Sequence, residues 1–140
     1  MSTNTIHVED HPSHEDIAFL EARIIEHNYA GAGAYDGRGL AAFIRDDDHQ
    51  IIAGIAGYTW ARLAEIEFLW VDEATRGQGL GSQLLAAVED EARARGCALM
   101  IVSTYSFQAP DFYLRHGYDV IAELPDCPPG HTNYYFKKPL

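Results

Sequence analysis

Apolar residues near the start of the chain recur at the spacing of an α-helix. The residues of this pattern are Ile17, Leu20, Ile24 and Ile25. Ser13 precedes them and is predicted to cap the helix, with Asp16 three residues later. Before the helix, the short segment 6–8 predicts a strand. After it, the segment 29–39 with its four glycines predicts a flexible loop that ends the helix and could border a substrate site.

A strand-like pattern replaces the helical one from residue 40 onward. Three runs separated by short polar turns predict antiparallel hairpins: 40–45, 51–60 and 63–71. Leu80 begins a second helical pattern with one apolar face, and Gly96 is placed to end that helix. The continuous apolar run 97–102 is typical of a strand buried on both faces. Strand, helix and strand together predict a crossover unit.

The last quarter of the chain predicts one short helix and two strands. The helix covers 109–116 and ends at Gly117, and the strands cover 118–124 and 134–137. The whole order, β-α-β-β-β-α-β-α-β-β, predicts an α/β (α+β) fold. Its sheet is expected to be mixed and mostly antiparallel, with six to seven strands and helices on both faces. No linker or internal repeat divides the sequence, so residues 1–140 are expected to form a single domain.

Charge and composition argue against several classes of partner. Lys and Arg total 10 against 21 Asp and Glu, and the resulting formal charge of -11 repels nucleic acids and anionic membranes. Neither a signal sequence nor an apolar run of roughly 20 residues is visible, and the two cysteines form no CxxC pair. A cytoplasmic protein without a membrane partner is therefore expected. His7, His11 and His14 match no familiar metal-site spacing, so no metal is expected.

The most informative segment is the turn Arg76-Gly77-Gln78-Gly79-Leu80-Gly81, between a predicted strand and a predicted helix. Glycines let the main chain approach a ligand, and the free N–H groups at a helix start bind phosphate oxygens. Two common phosphate motifs do not fit, because a P-loop needs a lysine and a dinucleotide fingerprint needs glycine at Ser82. A tight turn without a ligand remains an alternative.

The turn resembles the acetyl-CoA signature of the GNAT superfamily of N-acyltransferases, Gln/Arg-x-x-Gly-x-Gly/Ala, with Arg76, Gly79 and Gly81 at the matching positions. Segment 109–118 is similar to a second family motif, Ala-x-x-Phe/Leu-Tyr-x-x-x-Gly-Phe/Tyr. Segment 69–72 looks like the end of the family's fourth strand. One departure is Ser106, where many members carry asparagine. A hydrogen bond to the pantetheine arm is therefore expected to be altered or lost.

The resemblance implies an acetyl-CoA-dependent N-acetyltransferase that moves the acetyl group to a primary amine of a small molecule or peptide by direct attack. It implies that strands 63–71 and 97–102, the fourth and fifth in the predicted order, splay apart to admit the cofactor. Family members often form homodimers, which this chain would then also do. The residues expected to bind the cofactor are Leu69, Trp70, Val71, Arg76, Gly77, Gln78, Gly79, Leu80, Gly81, Ser82, Ser106, Ala109 and Phe112.

Three residues are expected to carry the reaction. Glu65 and Glu67 share one face of their strand if side chains alternate, and the family often places its general base on this strand. Glu67 is preferred because it lies nearer the expected position of the thioester, while simple exposure to solvent is the alternative for both. Tyr113 occupies the position where the family commonly has its general acid, and its alternative role is core packing.

Two other functions remain open from the sequence alone. A GNAT-like domain without catalysis would hold acyl-CoA as a sensor, although Tyr113 and the two glutamates argue against this. A nucleotide- or phosphosugar-binding protein would use the same turn without a thioester. Stabilisation by acetyl-CoA, CoA or ATP would discriminate, because a ligand stabilises the folded state that it binds.

Overall fold

The computed structural model describes residues 4–140 and contains both helices and strands. The helices are α1 (His14–Ala32), α2 (Leu80–Ala94) and α3 (Pro110–Arg115). The strands are β1 (Arg38–Arg45), β2 (Ile51–Trp60), β3 (Leu63–Val71), β4 (Leu99–Tyr105), β5 (Asp119–Pro125) and β6 (Thr132–Pro139). None of the helices in this range is long and apolar enough to cross a membrane.

The chain divides into two compact units, one up to Tyr35 and one from Asp36 onward. The first contains α1, and the second contains the whole sheet with α2 and α3. Whether residues 1–140 act as a single domain stays a prediction.

The cap of α1 is confirmed, but its predicted end is not. The Ser13 Oγ accepts a hydrogen bond from the Asp16 N–H at 3.1 Å. The helix continues through Gly31 to Ala32, and Gly33 ends it in the left-handed conformation, with its N–H bonded to the Tyr29 carbonyl. The prediction of a loop from residue 29 was therefore wrong at its start. A glycine inside a helix costs only about 1 kcal/mol, which the hydrogen bonds of adjoining turns can outweigh.

The predicted strand over 6–8 is also wrong, since the structure assigns no strand to that segment. A strand is stable only when another strand pairs with it, and the alternation of three residues does not indicate which segment could pair with them. The other predicted elements are present, with ends that differ by a few residues.

A six-stranded sheet in the order β1-β2-β3-β4-β6-β5 forms the second unit. Every neighbouring pair is antiparallel except β3 with β4, so the predicted mixed and mostly antiparallel fold is confirmed. One face of the sheet is apolar and packs against α2 and α3. Its buried strand residues include Leu40, Ile55, Ile66, Val102 and Phe136, which meet Leu84, Leu85 and Val88 of α2 and Tyr113 of α3.

The parallel pairing of β3 and β4 covers only the first halves of the two strands. The register runs from Leu63 opposite Leu99 to Ile66 opposite Val102 and then stops. Beyond that point β3 continues to Val71 and β4 continues to Tyr105. The two strands therefore splay apart as predicted, and the opening between them positions the site described below.

A buried ionic cluster joins α2 to the end of the chain. The Glu89 side chain is 8% exposed and accepts hydrogen bonds from the Tyr118 hydroxyl at 2.8 Å and the Lys138 Nζ at 2.9 Å. The Lys138 ammonium also lies 5.5 Å from the centre of the Tyr118 ring. A carboxylate at this depth needs a countercharge, because the surrounding protein solvates it poorly.

We predict that Lys138→Met lowers the free energy of unfolding by about 3 kcal/mol, because it leaves the Glu89 carboxylate buried without its cation. The matched control is Lys137→Met on the exposed neighbour, which should change stability by less than about 0.5 kcal/mol. Urea denaturation measures both. Equal effects of the two substitutions would contradict this role for Lys138.

Candidate active site

A cavity of about 750 Å³ opens where β3 and β4 diverge. Its wall comes from the second half of β3, the turn that follows, the first turn of α2, the end of β4, and α3. Sites of this volume are typical for small organic ligands and cofactors. We call this cavity the notch.

The turn after β3 presents unpaired main-chain donors to the notch. Gly77 and Gly79 adopt left-handed backbone conformations with φ of 83° and 76°, which residues with a Cβ rarely adopt. Within the described residues, the six consecutive N–H groups of 77–82 have no hydrogen-bond acceptor. The last three belong to the first turn of α2, where the helix itself offers no acceptor. Such a row of oriented N–H groups is a binding site for phosphate oxygens.

Two arginines line the notch beside this turn. The Arg76 Nε donates a hydrogen bond to the Val71 carbonyl at 3.1 Å, which holds the guanidinium against the end of β3. Arg115, in the last turn of α3, has no hydrogen bond or ion pair within residues 4–140. Arg115 falls at an unspecified position of the second motif and was not among the expected site residues, so its place in the wall follows only from how α3 packs.

Phe112 joins α3 to the start of α2. A Cβ added at Gly81 would lie 3.5 Å from the Phe112 ring and 3.8 Å from Val71, so a glycine at this position lets α2 and α3 approach closely.

Hydrogen bonds attach the start of α3 to the end of β4. Ala109 precedes α3, and its N–H donates to the Thr104 Oγ1 at 3.2 Å. The Gln108 side chain accepts from the Tyr105 N–H at 2.9 Å. These bonds fix α3 to the end of β4, on the side of the notch opposite β3.

Tyr113 is a buried phenol that reaches the notch. Its side chain is only 3% exposed and packs edge-on against Tyr118, with ring centres 5.5 Å apart. Burial raises its pKa to about 12, so the phenol stays protonated at neutral pH. Its hydroxyl has no hydrogen-bond partner among residues 4–140, although Tyr113 is part of the notch wall. Tyr113 can therefore donate a proton to a group bound in the notch.

The two glutamates of β3 occupy different surroundings because the strand carries a bulge. Ile66 pairs with Gly57 and Phe68 pairs with Ala56, which leaves Glu67 as the extra residue. Glu67 is exposed and lines the notch. Glu65 lies outside the notch and accepts a short hydrogen bond from the Tyr58 hydroxyl. That hydrogen bond, together with burial, raises the pKa of Tyr58 to about 12.

Comparison with known proteins identifies the family. The chain matches the family model described as acetyltransferase (GNAT) family over residues 3–118. It belongs to the GNAT acetyltransferase family. An acetyltransferase from Agrobacterium fabrum is 34% identical over 129 residues, which are 88% of this chain and 94% of that protein. Blasticidin-S acetyltransferase from Streptomyces morookaense is 42% identical over 92 residues, 65% of this chain and 68% of that protein.

The solved structures agree with this assignment. A crystal structure of an acetyltransferase from Bacillus cereus has a TM-score of 0.80 and 31% identity to this GNAT chain. The match covers 96% of this chain and 98% of that one. The likeness therefore extends over the whole fold and is not limited to the motifs.

Most of the residues expected from the GNAT motifs come together around the notch. The expected residues in its wall are Glu67, Leu69, Trp70, Val71, Arg76, Gly77, Gly79, Leu80, Gly81, Ser82, Ala109, Phe112 and Tyr113. Gln78, Ser106 and Glu65 are not part of it. The Ser106 N–H donates to the Thr132 carbonyl, and its Oγ accepts from the Thr132 N–H at 3.0 Å. Ser106 thus fastens the end of β4 to β6.

Several residues in the wall were absent from the sequence prediction. They are Ile66, Phe68, Thr75, Val102, Ser103, Thr104, Phe107, Gln108 and Arg115. Most lie on β4 or just after it, where an apolar run gave no sign of which residues face an opening. No group of three His, Cys, Asp or Glu side chains in the described part of the chain could hold a metal ion.

We predict that Gly57→Ala destabilises the protein by about 2–3 kcal/mol, because the new Cβ would lie 1.8 Å from the Glu65 carbonyl oxygen across the bulge. The matched control is Gly39→Ala on β1, where nothing lies within 4 Å of the added Cβ. That change should be neutral or stabilising by about 0.5 kcal/mol. Urea denaturation of both variants checks this, and similar unfolding midpoints would contradict the bulge.

Proposed function

We propose that this acetyltransferase moves the acetyl group of acetyl-CoA to a primary amine of a small molecule or peptide by direct attack. The observation that carries the proposal is the row of N–H groups at 77–82 without acceptors within residues 4–140, five of whose six residues line a notch large enough for an extended cofactor. A glycine turn without a ligand would not need so many unpaired donors on one side.

The residues of the notch fit acetyl-CoA. The N–H groups of 77–82 would hold its pyrophosphate, with charge from Arg76 and Arg115. Beyond Ile66, no strand among the described residues pairs with the β4 side of β3, so the main chain of Leu69 to Val71 offers an edge to an extended arm, up to the Val71 carbonyl that the Arg76 Nε occupies. Phe112 adds an apolar wall. Acetyl-CoA supplies an acetyl group activated as a thioester, with a thiol as the leaving group.

Glu67 is the proposed general base. An alkylamine has a pKa of about 10.4, so at neutral pH it is mostly protonated and cannot attack. The Glu67 carboxylate lines the notch and has no hydrogen-bond partner within residues 4–140. It can accept the proton of the amine directly or through a water molecule. Glu65 is less suited, because the Tyr58 hydroxyl already occupies its carboxylate.

Tyr113 is the proposed general acid. Its buried phenol holds its proton at neutral pH and has no competing acceptor within the described residues. The hydroxyl can therefore donate that proton to the leaving sulfur. The packing of its ring against Tyr118 and Phe136 limits the positions that the hydroxyl can reach.

A cationic small molecule is the proposed acceptor. One relative is named a blasticidin-S acetyltransferase, and the net charge of -11 favours the approach of a cation. The acceptor itself, a cytoplasmic location and a homodimer stay predictions.

The proposal is tested by thiol release from acetyl-CoA with a panel of amines that includes blasticidin S, polyamines, amino acids and short peptides. Thiol release that depends on one class of amine supports the proposal. Binding of acetyl-CoA without turnover of any amine would favour a sensor. Stabilisation by ATP but not by CoA would favour a nucleotide-binding protein.

We predict that Tyr113→Phe lowers kcat about 100-fold, because the ring stays in place and only the proton donor is lost. The Kd for acetyl-CoA should stay within about twofold of the wild-type value. Steady-state kinetics and calorimetry measure the two quantities. If kcat and the affinity for acetyl-CoA fell by equal factors, Tyr113 would contribute to cofactor binding and not to proton donation.

We predict that Glu67→Gln lowers kcat/KM about 100-fold at pH 7 and that the loss shrinks as the pH rises toward about 10. At high pH the amine is neutral and no longer needs a base. Glu65→Gln is the matched control and should have a much smaller effect at every pH. The pH dependence of kcat/KM, measured for the wild-type protein and both variants, tests this. A larger loss of kcat/KM in Glu65→Gln than in Glu67→Gln would identify Glu65 as the general base.

A further inference from the structure

A second cavity lies at the other end of β3, close to the turn that joins β2 to β3. Its volume is about 110 Å³, enough for a small ion but not for a nucleotide. Its wall includes three arginines, Arg38, Arg62 and Arg95. Ile66, the first notch residue on β3, lies three residues after the start of the strand, so about 10 Å of β3 separates this basin from the notch. We call it the arginine basin.

The arginines of the basin keep an excess of positive charge. The Arg38 side chain has no hydrogen bond or ion pair within residues 4–140, and the Arg62 side chain uses only its Nε, which donates to the Gly96 carbonyl at 3.3 Å. Arg95 pairs with Glu91 at 3.1 Å. Asp36 is the one carboxylate among the described residues of the wall. Three guanidinium groups against Asp36 and Glu91 leave one positive charge uncompensated, in a chain whose net charge is -11.

The backbone around the basin holds these groups in place. Ala61 and Arg62 both have left-handed backbones, with φ of 48° and 69°, an arrangement that L-residues other than Asn and Asp seldom adopt. The turn is fastened on both sides, because the Asp36 Oδ1 accepts from the Ala61 N–H and the Arg62 carbonyl accepts from the Ala98 N–H. Arg62 is therefore presented from a fixed position.

A buried hydroxyl adds an unused donor. Thr59 is 3% exposed, and its Oγ1 accepts a hydrogen bond from the Arg95 Nη1 at 3.0 Å. The proton of that hydroxyl has no acceptor within residues 4–140. The Arg95 side chain, 13% exposed, also donates to the Gly39 carbonyl at 2.8 Å. Cys97 is also part of the basin wall, and burial raises the pKa of its thiol despite the opposing charges of Arg95 and Arg62.

We propose that the arginine basin binds a phosphate group, either as the free ion or as a small phosphomonoester. Guanidinium groups match the oxygens of phosphate with parallel hydrogen bonds, and within residues 4–140 the Arg38 side chain and the Nη groups of Arg62 have no other acceptor. Donors from β1, β2, the β2–β3 turn and Arg95 at the end of α2 line the cavity, and a tetrahedral ion can accept from several directions at once. A carboxylate presents its two oxygens in one plane and would leave part of this donor set unpaired.

The test measures binding of inorganic phosphate by calorimetry at constant ionic strength, with CoA present to fill the turn at 77–82. Phosphate should bind and raise the melting temperature, whereas chloride and acetate should not. Arg38→Gln should weaken phosphate binding on the order of tenfold, and the double variant Arg38→Gln/Arg62→Gln should weaken it further. Because the Arg38 side chain has no partner within residues 4–140, its loss should leave the fold intact without phosphate.

Two control variants make the result specific. Arg45→Gln removes a charge from the opposite end of the same strand β1 and should leave phosphate binding unchanged. Arg115→Gln removes a charge from the notch and should also leave it unchanged. The proposal is overturned if phosphate binds no better than chloride, if acetate equals phosphate, or if Arg115→Gln rather than Arg38→Gln weakens binding. Phosphomonoesters tested in the same way distinguish the free ion from a phosphorylated ligand.

Discussion

The end of the pairing between β3 and β4 is the constraint on which the site depends. Up to Ile66 and Val102 the two strands share a ladder and a buried face, so the core fixes their separation. Past those residues no ladder joins them among the described residues, so the β4 side of β3 is an open edge at the notch. Unpaired main-chain groups are costly unless water or a ligand meets them, which makes this edge suited to an extended partner.

The bulge on β3 gives its two glutamates different chemistry. A regular strand would place Glu65 and Glu67 in equivalent positions on one face, as the sequence predicted. The extra residue at Glu67 interrupts the ladder, and Gly57 opposite leaves room for the displaced chain. Glu65 keeps its cross-strand neighbour Tyr58 and a hydrogen bond to it. Only Glu67 is left with a carboxylate free to take a proton in the notch.

The sequence predicted elements that depend on local pattern and missed features that depend on pairing. The turn 76–81 and the helix after it could be predicted, because the spacing of glycines and the single apolar face of a helix are local sequence signals. The bulge was not, because a period of two assumes an unbroken ladder and the one sign, Gly57, lies on another strand. Arg115 and the arginine basin were also missed, since their members meet only when separate segments pack. The false strand at 6–8 had no neighbour to support it.

An acidic protein can bind anions because short-range donors outweigh its distant charge. At physiological salt the Debye length is about 8 Å, so most of the net charge of -11 acts weakly on a buried ion. In the proposed sites, the turn at 77–82 would place neutral N–H dipoles against the phosphate oxygens, whereas the arginine basin would supply full charges. Neutral dipoles attract an anion only at short range. Because they carry no net charge, the surrounding protein surface stays negative. That surface still favours the approach of a cation, so the acidic charge is compatible with the proposed pairing of a phosphorylated donor and a positively charged acceptor.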